Sequence, residues 1–205
     1  MDIYRVEYGY LPEQELKEIA TALRNGKLAI LPTDSVYTLA CALSAKNAIQ
    51  RLCKLVGKKP EQAQLSIICS SFSMISDYTV QFSNSNFRTM KAALPGPYTF
   101  ILNADRRQTK HWENKRKTIG VRIPDQDFLP ELIERIGEPL ICSSLHSEDE
   151  LMQYFTDPEN IAKKYMHDVD LLVEDGVGGL EPSTVIDCTD VQPELIREGM
   201  GKWPL

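Results

Sequence analysis

The chain has 205 residues, 42% hydrophobic and 25% charged, which predicts a single globular domain over residues 1–205. Its net charge of −6 argues against an all-over cationic coat for nucleic acid, and no run approaches the ~18 apolar residues of a membrane span. The polar opening MDIYRVEYGY predicts no signal peptide, and five scattered cysteines (Cys41, Cys53, Cys69, Cys142, Cys188) sit mostly inside apolar runs. Reduced core thiols, a cytoplasmic location and no membrane partner are expected, and no Cys or His pair has zinc-ligand spacing.

In chain order, residues 12–25 predict a helix, with Leu16, Ile19, Ala20 and Leu23 at helical spacing and Gly26 as its stop. The central stretch follows: a buried strand over 27–31 meets Pro32 and delivers Thr33, Asp34 and Ser35 to its C-terminal mouth, where ligands of open α/β sheets sit. A segment of small residues continues to Ser44. Residues 47–56 carry Ala48, Ile49, Leu52, Cys53 and Val56 on one helical face, ended by Gly57-Lys58-Lys59-Pro60. The predicted order continues with a strand at 64–69, a short helix or turn at 72–78, and a helix at 84–94 stopped by Pro95-Gly96-Pro97. Strands at 98–102 and 118–123 flank a basic loop, and an amphipathic helix at 128–136 leads to a strand at 140–144. A helix at 158–165, a strand at 169–173, a turn at 176–179 and short strands at 184–187 and 194–197 close the chain. Helices alternating with strands, without repeats, predict an α/β fold: one twisted, mixed and largely buried sheet flanked by helices.

Several strand ends carry a small hydroxyl or a cation: Thr33 and Ser35, Thr99, Arg122, Ser143 and Ser144, Ser183 and Thr184, and Arg197. No G-x-S-x-G elbow, Walker loop or Rossmann fingerprint accompanies them. Hydroxyl donors and arginines without an obvious nucleophile suit a site that holds a phosphate-bearing ligand and orients a reaction. Each also has a plainer reading: Thr33 as a turn former, Pro95-Gly96-Pro97 as a helix breaker, Ser183 and Thr184 as local backbone caps. A second charge feature is the basic cluster Arg106, Arg107, Lys110, Lys115, Arg116, Lys117 and Arg122, with only Asp105 and Glu113 among it. It suits a polyanionic ligand or RNA, and its plainer reading is a solvated face.

Taken together, PTDSVY at 32–37, LPGPYTFIL at 94–102, KTIGVRIP at 117–124, ICSSL at 141–145, PSTVID at 182–187 and IREG at 196–199 occur in order. This series resembles the YrdC family of threonylcarbamoyl-AMP synthases over about residues 15–200, and is most similar to the YciO-like branch through residues 49–56 and KRKTIGVRIP from Lys115. The resemblance implies a twisted α/β sheet around a concave, positively charged cavity. It implies a nucleotidyltransferase joining L-threonine, bicarbonate and ATP, with Mg2+ on the phosphates, into threonylcarbamoyl-adenylate for modification of tRNA adenosines. Members of the family have also been described as double-stranded RNA binders, so an RNA- or tRNA-binding protein with little catalysis is the second expectation.

Carried over position by position, the resemblance implies that Thr33, Arg122, Cys142 and Ser183 hold threonine. Thr118, Ser144 and Arg197, with Lys58 and Lys59 toward the phosphates, would then hold the nucleotide, and Pro95, Gly96 and Thr99 would shape the cavity wall. On the RNA expectation, Arg106, Arg107, Lys115 and Lys117 would contact phosphates, with affinity falling steeply in salt. Two motifs depart from the family. Where synthases carry Lys-x-Arg before a proline, this chain reads Val56-Gly57-Lys58-Lys59-Pro60, so that either Lys58 or Lys59 replaces the arginine and the other cation is lost. Ser144-Leu145-His146 places a histidine where the family's Ser-x-Asn segment has asparagine.

Overall fold

The computed structural model describes residues 1–107, 116–145 and 156–203. Lys110, Lys115 and His146, singled out above, lie outside the described residues.

The elements run β1 (Asp2–Arg5), α1 (Glu13–Arg24), β2 (Ala29–Leu31), β3 (Thr38–Ala42), α2 (Lys46–Leu55), β4 (Ser66–Ile68), α3 (Phe72–Tyr78) and α4 (Asn84–Ala93). They continue with β5 (Tyr98–Asn103), β6 (Thr118–Arg122), α5 (Phe128–Ile136), β7 (Leu140–Ser144), α6 (Pro158–Tyr165), β8 (Leu171–Glu174), β9 (Thr184–Asp187) and β10 (Glu194–Arg197). The helices fall where apolar residues recur at helical spacing, and side chains cap several of them. Ser71, Ser83 and Asp157 accept first-turn N–H groups of α3, α4 and α6, and Pro158 occupies the first turn of α6.

Two strands depart from the sequence reading. The small-residue segment after Tyr37 is β3, whose five residues are all buried between β2 and β7. With both faces covered it has no polar alternation to advertise a strand. The acidic N-terminal stretch is β1, an edge strand paired in parallel with β8 and mostly exposed.

The strands form one sheet in the order β1-β8-β2-β3-β7-β4-β6-β5-β9-β10. It is mixed: β1/β8, β2/β8, β4/β6 and β5/β9 are parallel, the remaining neighbours antiparallel. The pleat sorts side chains onto two faces. On one face Leu39, Ile67, Phe100, Ile119, Val121, Ile141 and Ile186 join a core that includes Ile49 and Leu52 of α2, Met90 of α4 and Ile161 of α6. On the other, α1 and α5 bury Leu16, Ile19, Leu129, Leu132 and Ile133 against Ala29, Leu31, Ala40, Leu140 and Val173.

That second helical layer contacts the β1-to-β7 half of the sheet. Beyond it, the same face presents Ser66 of β4, Thr118, Gly120 and Arg122 of β6, Thr99 of β5 and Val185 of β9, which line a cavity. Alternation along TIGVR and YTFIL therefore has a spatial meaning: Ile119, Val121, Phe100 and Leu102 fill the core, while the small and polar residues between them form the floor.

Candidate functional site: a cavity lined by two arginines

The cavity has a volume of about 1100 Å³. Its floor is a register row in which Ser66 of β4 lies between Cys142 of β7 and Gly120 of β6, with Ile101 of β5 opposite Gly120. Glycine is required in this row: a Cβ at Gly120 would stand 2.4 Å from Ser66 Oγ and 3.1 Å from Thr99 Cγ2. Cys142 also lines the floor. Burial pushes its thiol up to about 11, against the pull of the Arg122 charge, so it is a neutral, compact lining group rather than a thiolate nucleophile. All five cysteines are free and buried.

Arg122 ends β6 with only 3% of its side chain exposed. Its Nη2 donates to Asp34 Oδ1 at 3.1 Å and to Ser35 Oγ at 3.0 Å, while its Nε is buried without a hydrogen-bond partner. Asp34 Oδ2 accepts the Asp125 N–H at 2.8 Å. Burial raises the Asp34 carboxyl above its ordinary value, outweighing the opposing effects of the Arg122 charge and the Asp125 N–H; the Asp125 charge adds to the rise. The turn after β2 is thus tied to the end of β6, 88 residues away.

Thr33 is part of that turn's construction. Its hydroxyl donates to Val36 O at 2.8 Å and lies 3.2 Å from Ser35 Oγ, behind the Arg122 contact. The segment 175–179 clamps the same turn. Tyr37 Oη donates to Gly176 O and accepts from Asp175 N, and Gly179 N donates to Ser35 O at 2.8 Å.

Across the cavity, Thr99 Oγ1 and Ser183 Oγ share a buried 2.8 Å hydrogen bond, and Arg197 Nη2 donates to the Ser183 carbonyl at 2.7 Å. Burial and then the nearby positive charge of Arg122 lower the Arg197 guanidinium from its ordinary value. Arg197 is exposed where it lines the cavity while Arg122 is buried, and an anion between these two like charges would relieve their repulsion.

The sequence left two registers open for the segment after α2, and the backbone separates them. Gly57 adopts φ +67°, its N–H bonds Lys54 O, and the Lys58 N–H reaches back to Cys53 O, the paired bonds of a Schellman turn. The turn brings Val56 and Lys58 to the cavity lining, and Lys59 is not among the lining residues.

Of the residues expected at a site, Arg122, Cys142, Ser183, Lys58, Thr118, Ser144, Arg197 and Thr99 line this cavity. Thr33 supports it from behind, and Pro95 and Gly96 are not among its lining residues. Arg106, Arg107 and Lys117 are exposed and do not line it, and the Arg107 guanidinium is bound by Asp105 at 2.6 Å. Lining residues the sequence reading did not single out for the site include Ser66, Gly120, Arg116, Lys164 and Asp168. Small residues at alternate positions of QLSIIC and TIGVR were the available signal for the first two. Lys164 and Asp168 gave none, because only the packing of α6 brings them to the rim. Among the described residues no helix is long and apolar enough to cross a membrane.

Comparison with known proteins agrees with this architecture. The E. coli YciO protein is 37% identical over 194 residues, covering 93% of this chain and 92% of that protein. Its crystal structure superposes with a TM-score of 0.88 over 100% of this chain and 98% of the other. A threonylcarbamoyl-AMP synthase of Pyrococcus abyssi is 26% identical over 191 residues, 92% of this chain but 55% of the synthase. The structure of P. abyssi Sua5 complexed with L-threonine matches with a TM-score of 0.81 and 25% identity, over 97% of this chain and 57% of that one. The family model Sua5_yciO_yrdC, described as telomere recombination, matches residues 21–199. The chain belongs to the Sua5/YciO/YrdC family.

Proposed function

We propose that the cavity binds ATP with L-threonine and that the chain is a slowed, threonylcarbamoyl-adenylate synthase-like nucleotidyltransferase serving tRNA threonylcarbamoyladenosine modification. The observation that carries this reading is the pair Arg122 and Arg197 lining one cavity, with a buried Arg122 Nε–H that has no partner. Family membership supports the same reading.

On this reading Arg122 takes the threonine carboxylate through Nε, near Cys142 and the Thr99–Ser183 pair. Arg197, Ser144 and Thr118 take the nucleotide, and Lys58 reaches its outer phosphates. The threonine amine attacks bicarbonate carbon and water leaves, giving a carbamate. A carbamate oxygen then attacks the α-phosphorus in line, and the bond to the β-phosphate breaks as pyrophosphate leaves with its electron pair. A magnesium ion would arrive with ATP, held on the triphosphate oxygens. One cation fewer beside the phosphates accounts for slowed turnover: loss of one such donor costs about 2–4 kcal/mol, roughly a hundredfold or more in rate.

The test is pyrophosphate release by the purified chain with ATP, L-threonine and bicarbonate. Threonine-dependent release, with the acyl-adenylate seen by mass spectrometry, is expected. No release while ATP still binds would mean another nucleotide reaction. Neither release nor ATP binding, with salt-sensitive RNA binding, would replace this reading with the RNA one.

A further inference from the structure

The two arginines of the cavity are chemically unequal. Arg122 faces a carboxylate: Asp34 and Arg122 form an ion pair with side-chain exposures of 8% and 3%. The charge of that corner is therefore close to cancelled, yet one buried N–H, Nε, is left over. Arg197 instead donates to a neutral backbone carbonyl, and among the described residues no carboxylate lies within ion-pair distance of it.

An unneutralised guanidinium favours a multiply charged phosphate. A guanidinium already paired with a carboxylate offers directed hydrogen bonding without net charge, and the neighbouring carboxylate repels a phosphate more strongly than a singly charged group. The same negative charge also favours the ammonium end of a zwitterion.

We propose that Asp34 is a specificity-determining residue that reserves Arg122 for the carboxylate of an amino acid and leaves phosphate to Arg197. The inference rests on the amino-acid and nucleotide reading above, and deepens it. Asp34 is suited to the task because its two oxygens accept from opposite sides, from Arg122 and from the Asp125 N–H. Asparagine would turn an amino group toward one of those donors, so no neutral isostere reproduces the arrangement.

The test titrates the 205-residue chain with acetate and with inorganic phosphate, following the arginine Nε–H signals by NMR, and measures threonine binding calorimetrically with and without phosphate. In the native chain acetate should shift the Arg122 signal and phosphate the Arg197 signal, and phosphate should not displace threonine. In Asp34→Asn phosphate should also shift Arg122 and compete with threonine, whose affinity falls about tenfold. Ser35→Ala, which removes a neutral partner of the same guanidinium, should gain no phosphate binding at Arg122. Phosphate shifting Arg122 in the native chain overturns the proposal without any variant, as does an Asp34→Asn chain that behaves like the native one. Absence of threonine binding with the acetate and phosphate pattern intact would overturn the function proposed above and leave the role of Asp34 standing.

Discussion

Arg122→Met is the substitution most directly tied to the cavity's construction. It removes a cation 3.1 Å from Asp34 and leaves that carboxylate with 8% of its side chain exposed and no counter-charge. Breaking a buried pair in this way costs about 3–5 kcal/mol, whereas replacing both partners by uncharged groups is often close to neutral. Urea unfolding at neutral pH should show the Arg122→Met loss in full, and the double variant Arg122→Met/Asp34→Asn should recover more than half of it. The loss should also depend on pH, with a sign set by the carboxyl. Asp34 is raised above its ordinary value by burial, with Asp125 adding to the rise, and it rises further once Arg122 is gone. The ionised form is the destabilising one in the variant, so stability is regained as pH falls through the raised value and Asp34 takes up a proton. A loss below about 1 kcal/mol at neutral pH, typical of an exposed pair, would refute the reasoning, as would a loss that does not shrink in acid.

Three further substitutions probe the floor, the rim and the far half of the sheet. Gly120→Ala should cost about 1–3 kcal/mol by overpacking against Ser66 and Thr99, measured by thermal unfolding, with part recovered in Gly120→Ala/Ser66→Ala because the nearest clash is with the serine hydroxyl. Lys58→Met should weaken ATP binding about tenfold or more, the worth of one charge-assisted hydrogen bond, while Lys59→Met changes it by less than about twofold; equal effects in calorimetry would mean that the Schellman turn does not select the cation. Asp170 anchors β2 to α2 by accepting from Leu28 N and Arg51 Nη1. Although burial raises its carboxyl, Arg51, the Leu28 N–H and Lys27 together hold it below its ordinary value. Its stabilisation is therefore present above the unfolded carboxylate pKa of about 3.9 and is lost as pH falls through the lower folded value. The melting temperature of Asp170→Asn should accordingly be below that of the native chain at neutral pH and converge with it in acid.

Much of this protein is legible along the chain because its determinants are local. The face of α2, with Ala48, Ile49, Leu52 and Cys53 buried, follows from helical periodicity, and the stop at Gly57 from glycine's tolerance of positive φ. The strand at 140–144 and the polar–apolar alternation of TIGVR are equally local, and Arg122, Ser183 and Arg197 stand out as polar groups at strand ends. Tertiary structure alone decides what depends on neighbours far away in sequence. β3 is a strand because β2 and β7 bury both its faces, and no residue within it alternates to announce this. Lys58 reaches the cavity because paired backbone bonds reverse the chain after α2, an arrangement that depends on where that helix ends. The pairing of Asp34 with Arg122 spans 88 residues, and it exists because the sheet order sets the turn after β2 against the end of β6. Composition and periodicity carry the hydrophobic term, which acts without direction; the geometry of a buried ion pair is directional, so it is settled only when distant strands meet.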